Sequence, residues 1–258
     1  MNKLLDIMRQ LRDPENGCEW DRAQTFASIA PHTIEEAYEV AEAIDQADLE
    51  ALKGELGDLL FQVVFYAQMA SEQGRFEFAD VVNAISEKLI RRHPHVFADV
   101  RYSDEAGLKV AWENHKLAEQ RAANPADSSI LAGVPKAVPA LKRAAKLGKR
   151  AASQGFDWGS TDGVLAKVAE EAREVAAAAA TGDKARISEE YGDLLLAMTS
   201  LGRHLGVDPE EALRLANNKF EARVRRMEQG MQQAGKGWGD YAAAGLDELW
   251  ELAKQHKK

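Results

Sequence analysis

Apolar residues recur along this chain at intervals of three and four. Leu52, Leu56, Leu59, Leu60, Val63 and Val64 form one such stripe, and Val164, Leu165, Val168, Ala172 and Val175 form another. That period places them on one face of a helix, and no convincing two-residue alternation marks a strand. Helix starts are legible as well. Asp208-Pro-Glu-Glu211 offers an N-cap Asp, a Pro at the first helical position and acidic residues behind it. Thr33-Ile-Glu-Glu36 reads as a capping box opening a helix at that point. The pattern predicts an all-α protein.

A break falls near the middle. Asn124-Pro-Ala-Asp-Ser-Ser129, Gly133 and the prolines at 135 and 139 read as a linker. The expected organisation is a domain over 1–122, a linker over 123–136 and a second domain over 137–258.

The two halves repeat each other. The first contains Gly17-Cys-Glu-Trp20, then Glu35-Glu-Ala-Tyr-Glu39-Val, then Glu55-Leu-Gly-Asp58-Leu-Leu. The second contains Gly155-Phe-Asp-Trp158, then Glu170-Glu-Ala-Arg-Glu174-Val, then Glu190-Tyr-Gly-Asp193-Leu-Leu. Fifteen residues separate Glu-x-x-Glu from Glu-x-x-Asp in both. Two copies at one spacing indicate a duplicated domain rather than a solenoid of many short units.

The spacing has a chemical consequence. Residues three apart share a helix face, so Glu36 with Glu39, and Glu55 with Asp58, each point one way. The two pairs are centred on residue 47, where Gln46-Ala-Asp48 predicts a turn; in the second half the centre is Gly182. In an antiparallel hairpin the pairs then come level, and four carboxylates converge if both faces point inward. Four close carboxylates repel unless they are protonated or given a cation. A hard divalent ion answers that, and an all-oxygen set favours Mg²⁺, or Mn²⁺, over iron. Dinuclear iron bundles use Glu-x-x-His, whereas the fourth residue here is Glu or Asp. Charged helix positions are more often a solvated face, and one such motif alone would carry little. Two copies with matched spacing tip the reading toward a metal site.

Composition narrows the field. The chain has 258 residues, 45% hydrophobic and 29% charged, as in ordinary globular proteins. Lys and Arg number 33 against 42 Asp and Glu, a net charge of −9. That disfavours non-specific nucleic-acid and anionic-membrane binding, so no stable nucleic-acid partner and no membrane partner is expected. One cysteine, Cys18, makes no intramolecular disulfide and fits a reducing cytoplasm. The neighbouring Gly17 makes it look structural rather than nucleophilic. No apolar run approaches the ~18 residues of a membrane span, the amino-terminal segment lacks a signal-like apolar stretch, and no P-loop pattern is present.

Cations follow the acidic motifs. Lys88, Arg91 and Arg92 close the third segment of the first half, and Lys219 and Arg223 share a face in the second. On spacing alone, phosphate-binding groups and ordinary surface residues are equal readings. Ala176 to Ala180 reads equally as a close-packing patch or as a solvent-facing run.

With these motifs the chain resembles the MazG family of nucleoside triphosphate pyrophosphohydrolases, in its two-domain bacterial form. Whole strings carry the likeness over nearly the full length: Leu11-Arg-Asp-Pro-Glu-Asn-Gly-Cys18, Trp20-Asp21, Gly54-Glu-Leu-Gly-Asp-Leu-Leu-Phe-Gln-Val-Val-Phe65 and Arg91-Arg-His-Pro-His-Val-Phe97. Glu19 departs from the pattern, where the family commonly has Pro. The resemblance implies two tandem helical bundles, a homodimer, and Mg²⁺-dependent hydrolysis of NTPs and dNTPs to monophosphate and pyrophosphate, clearing unwanted nucleotides. By position, Glu36, Glu39, Glu55 and Asp58 match the metal motif in the first half, and Glu171, Glu174, Glu190 and Asp193 match it in the second. Lys219, Arg223 and Trp250 match nucleotide-contacting positions, with Trp250 stacking on the base, although such a Trp is as often core. The implied mechanism has metal bridging phosphate oxygens and activating water for in-line attack, with Lys219 and Arg223 offsetting charge. Either Glu170 or Glu189 could orient the water.

The halves differ beside the motif. Lys167 and Arg186 lie four residues before Glu171 and Glu190, where the first half has His32 and Ala51; Glu189 stands where the first half has Gly54. The second half is therefore expected to be the main catalytic one. The first would be a second active site, a regulatory nucleotide site or a structural partner. Two rivals remain: a dinuclear carboxylate oxidoreductase, and a non-catalytic helical dimer that binds metal or nucleotide.

Overall fold

The computed structural model describes residues 2–102 and 129–255 continuously, with residues 104, 107–108, 111–112, 115, 118–119 and 127 between them. The chain divides into two compact units, Met1–Lys116 and Leu117–Lys258. Much of the expected linker, including 123–126 and 128, lies outside the described residues. Among the described residues there are helices and no strand, as the apolar period predicts. No helix among them is long and apolar enough to cross a membrane.

The first unit contains α1 (Asn2–Leu11), α2 (Glu19–Ala23), α3 (Phe26–Asp45), α4 (Leu49–Glu72), α5 (Phe78–Arg92) and the single turn α6 (Pro94–Phe97). α3 and α4 form an antiparallel hairpin, and α1 and α5 pack on α4. Its core is Met8, Ile29, Val64, Phe65 and Met69. Arg12 locks the end of α1 to α4 through two bonds to Glu72, Nε to Oε1 at 2.8 Å and Nη2 to Oε2 at 2.6 Å. Between α1 and α2 the chain doubles back so tightly that a Cβ on Gly17 would lie 2.5 Å from the carbonyl oxygens of Leu11 and Asp13, so only glycine fits. Cys18 in that turn is exposed.

α3 starts earlier than the sequence pattern predicts. Thr25, not Thr33, is the N-cap, and it exchanges side-chain and backbone bonds with Ser28. Pro31 sits inside the helix, within its second turn. Thr33 is therefore an interior residue, and its hydroxyl reaches the Tyr66 hydroxyl on α4 at 2.8 Å.

The second unit contains α7 (Ala140–Ala152), α8 (Thr161–Thr181), α9 (Lys184–His204), α10 (Pro209–Gln233), a 3₁₀ turn (Trp238–Asp240) and α11 (Ala243–Gln255). α8 and α9 form the matching hairpin, α7 packs on α9 and α10, and α11 packs on α10. Asp208 caps α10 through the amides of Glu210 and Glu211, with Pro209 at the first position, as its sequence predicts. Val164 and Ala178 of α8 are fully buried, whereas Ala176, Ala177, Ala179 and Ala180 are exposed, so only one residue of the alanine run packs. Asp157 ties the loop between α7 and α8 to α9. It accepts two bonds from Arg203, at 2.7 and 2.5 Å, and lies 3.0 Å from His204 Nε2. The Arg203 bonds hold its carboxyl far below the ordinary carboxylate range.

Both hairpin turns fall where the spacing puts them. Asp48 and Asp183 cap α4 and α9, each accepting from two backbone amides. The residue before each cap turns left-handed: Ala47 at φ 53° and Gly182 at φ 71°.

Candidate active site

Each hairpin gathers three glutamates. Oxygens of Glu36, Glu39 and Glu55 lie within 4.8 Å of one another, as do those of Glu171, Glu174 and Glu190. Asp58 and Asp193 fall outside these mutually close sets. Asp58 is nevertheless near enough for its charge to act on Glu36. The helix faces thus converge as the i, i+3 spacing requires, with three carboxylates in closest contact rather than four.

In the first hairpin the crowding is barely relieved. Lost hydration, then the charges of Asp58 and Glu39, raise the Glu36 carboxyl above its ordinary value. Gln62 opposes this weakly, donating from Nε2 to Glu36 Oε1 at 3.4 Å. Gln62 is 6% exposed, and its Oε1 is buried without a donor. Sequence reasoning missed Gln62 as a site residue. Its signal was a polar residue seven after Glu55, on the same helix face, inside an apolar run.

The second hairpin has cations of its own. Lys167 Nζ lies 2.7 Å from Glu171 Oε1 and 2.8 Å from Glu170 Oε1. Arg186 Nε lies 3.5 Å from Glu190 Oε1. Lys167 is held firmly protonated by Glu170 and Glu171, and Glu170 is pulled below its usual value by Lys167. Glu174 is still raised, by lost hydration and then by the charges of Glu171 and Glu190. Glu171 is 5% exposed, and its Oε2 is buried with no hydrogen-bond partner. A buried carboxylate oxygen without a donor, on a residue clustered with two more carboxylates, is chemically suited to meeting a cation. All six clustered residues offer hard oxygen, which fits Mg²⁺ or Mn²⁺ and lacks the histidine of a dinuclear iron bundle.

Of the remaining expected residues, Glu189 shares α9 with Glu190, and the others lie on α10 and α11. Glu189 is exposed on α9, and Lys219 is exposed on α10. Arg223 lies over the Trp250 ring, 5.4 Å from its centroid, with Lys254 at 5.8 Å and the Phe220 ring at 5.4 Å. Trp250 also packs against the small core of Met227, Met231 and Ala253. In the first unit, Arg92 lies over the Trp112 ring at 5.5 Å.

Comparison with known proteins places these hairpins. Residues 24–97 match the model of the MazG nucleotide pyrophosphohydrolase domain, and residues 140–220 match that of phosphoribosyl-ATP pyrophosphohydrolase. Each match brackets one acidic hairpin. The chain is 49% identical to the nucleoside triphosphate pyrophosphohydrolase of Escherichia coli K12, over 100% of this chain and 98% of that protein. The chain belongs to the MazG family. It is a nucleoside triphosphate pyrophosphohydrolase with two MazG-like helical domains, as the motifs led us to expect. A second relative, the nucleoside triphosphate pyrophosphohydrolase/pyrophosphatase MazG of Thermotoga maritima, is 44% identical over 98% of this chain and 94% of its own. A crystal structure of a MazG-related protein from Thermotoga maritima covers 45% of this chain and 99% of that one, at 27% identity and a TM-score of 0.38. The all-α assignment for this MazG chain rests on its own helices rather than on that superposition. The phosphoribosyl-ATP pyrophosphohydrolase match ends at residue 220, so Arg223 and Trp250 lie beyond it.

Proposed function

We propose that this MazG chain hydrolyses NTPs and dNTPs, with Mg²⁺ or in its place Mn²⁺, to the monophosphate and pyrophosphate, and so clears unwanted nucleotides in the cytoplasm. The second half is the main catalytic one. The observation that carries this is the buried, donorless Oε2 of Glu171 within a cluster flanked by Lys167 and Arg186. Glu171, Glu174 and Glu190, with Asp193 on the same helix face as Glu190, would hold the ion.

When bound, that ion supplies charge neutralisation of the triphosphate and acidifies a water molecule. The chain's own groups do the rest. Lys167 and Arg186 turn from carboxylates to phosphate oxygens, Arg186 as a two-pronged donor. Glu170 or Glu189 accepts a proton from the attacking water. The P–O bond between the α- and β-phosphates breaks, water supplies the new P–O bond, and pyrophosphate leaves. Lys219 and Arg223 offset the charge of the leaving group. Trp250 stacks on the base, exchanging one of its present cation contacts for the nucleotide. The net charge of −9 favours a metal–nucleotide partner over nucleic acid.

The test is incubation of the pure chain with each of the eight common NTPs and dNTPs and Mg²⁺, with products identified by phosphorus NMR. Monophosphate and pyrophosphate are expected, abolished by chelation and restored by Mg²⁺ or Mn²⁺. Diphosphate and free phosphate would contradict the reaction. A folded protein that binds nucleotide or metal without turnover would point to the alternative, a non-catalytic helical dimer.

A further inference from the structure

Many surface cations of this chain are answered by a carboxylate on their own helix: Lys53 by Glu50, Arg214 by Glu211, Arg225 by Glu221 and Lys254 by Glu251. α7 has no carboxylate to give such an answer. Between Asp127 and Asp157 the sequence places Lys136, Lys142, Arg143, Lys146, Lys149 and Arg150, and no acidic residue at all, in a chain whose net charge is −9. A run of that kind inside an acidic protein concentrates positive potential in one place.

The fold turns part of this run into a concave site. Lys142, Lys146 and Lys149 recur at four and three residues, so they share one face of α7, and all three are exposed. That face borders a groove of about 270 Å³, closed on its other side by Arg203 and Gly206 after the body of α9 and by Asp208 at the start of α10. The lining carries four cations against one carboxylate. Asp208 is met by Lys142 at 2.6 Å, and Arg203 is held by Asp157. Lys146 has no carboxylate partner among the described residues, so the groove keeps unbalanced positive charge. The first unit has a groove at the matching position, between α1, α4 and the start of α5, but lines it with Leu5, Arg9, Gln68, Glu77 and Phe78. Its one cation, Arg9, pairs with Asp6 at 2.7 Å. The two halves thus keep the groove and differ in its charge.

We propose that the α7 groove is an accessory binding site for condensed phosphate, a chain of two or three linked phosphate groups held by Lys142, Lys146 and Lys149. Lysine ammonium groups bind phosphate as point charges on flexible stems, without the fixed fork of arginine. From Lys142 to Lys149 the face runs about 10 Å along the helix, which suits several linked phosphates better than one. A pyrophosphohydrolase meets two anions of this class, the phosphate tail of a nucleotide and the pyrophosphate it releases. The groove is separate from the acidic hairpin site, because Arg203 lies about 20 Å along α9 from Glu190.

Calorimetric titration of the metal-free full chain with pyrophosphate, ATP and inorganic phosphate tests this. Without metal the carboxylate clusters repel phosphate, so binding at the groove is read apart from turnover. One pyrophosphate site per chain is expected, with inorganic phosphate weaker by about tenfold or more. The double variant Lys146→Gln, Lys149→Gln should weaken pyrophosphate by about tenfold or more, whereas Lys167→Gln should leave that binding in place. Both groove lysines are exposed, and circular dichroism melts verify that the variants are folded. Tighter binding of pyrophosphate than of ATP would assign the groove to the released product, and the reverse order would assign it to the tail of a second nucleotide. No saturable site, affinity unchanged in the double variant, or loss in Lys167→Gln would overturn the inference. So would equal affinity for inorganic phosphate, or a single-stranded oligonucleotide binding through these lysines where pyrophosphate does not.

Discussion

Ala47 and Gly182 occupy the same place in the two hairpins and meet the same backbone demand with different residues. Each is left-handed, at φ 53° and 71°, just before the Asp that caps the second helix. A Cβ in that conformation costs about 1–2 kcal/mol, partly offset by the lower chain entropy of alanine in the unfolded state. Ala47→Gly should therefore stabilise the first domain by about 0.5–1 kcal/mol in urea denaturation. A loss of stability would show that the φ strain is relieved in solution. Asp157 offers a second test. Its carboxyl is held far below the ordinary 3.8 by Arg203, so folding favours its charged form. The stability it contributes is fully present above the ordinary value and is lost as pH falls through the folded one. Asp157→Asn should cost about 2 kcal/mol at neutral pH. It should also flatten the acid side of the stability profile below about pH 4, read from thermal melts between pH 2 and 7.

The hairpins show how far a pattern reaches at the level of elements. The turns at residues 46–48 and 182–183 were legible because apolar stripes and paired carboxylates define helix faces, and an Asp cap defines a start. The start of α3 was not. Thr33 with Glu36 satisfies the capping-box spacing, but Thr25 with Ser28 makes the actual reciprocal cap, and Pro31 is accommodated inside the helix. Spacing alone fits both positions, and the partner that Thr33 meets inside the helix, the Tyr66 hydroxyl of α4, lies 33 residues away in sequence. The same limit hid Gln62 and the Arg12–Glu72 clamp, which exist only once α4 is packed. Thr25→Ala should cost about 1 kcal/mol of stability through the lost cap. A neutral result would argue that α3 begins later than Thr25.

At the scale of the molecule, duplication explains both what could be read and what differs. Two hairpins, each with three converging glutamates, give the chain two candidate metal centres from one ancestral pattern. Divergence then lies in a few neighbours: Lys167 against His32, Arg186 against Ala51, Glu189 against Gly54. The i, i+4 spacing already put Lys167 and Arg186 beside Glu171 and Glu190, whereas the burial of Glu171 and its convergence with Glu190 across the hairpin required the fold. The second hairpin also leaves Leu165, Tyr191, Leu195, Leu196 and Met198 largely uncovered. Apolar surface of that kind often marks an interaction site, and a second copy of the chain would match the homodimer that the family resemblance implies. Sedimentation equilibrium should give a mass near twice 28.4 kDa, and Leu196→Glu should shift it toward the monomer. A wild-type monomer at micromolar concentration would contradict the pairing.

The most direct test of the account compares Glu190→Gln with Glu55→Gln in steady-state hydrolysis of an NTP with saturating Mg²⁺. The second-half assignment predicts that Glu190→Gln loses activity by about 100-fold or more, in line with removing a group that stabilises transition-state charge. Glu55→Gln should keep most of its kcat. Loss in Glu55→Gln with activity retained in Glu190→Gln would contradict that assignment and move the catalytic centre to the first hairpin.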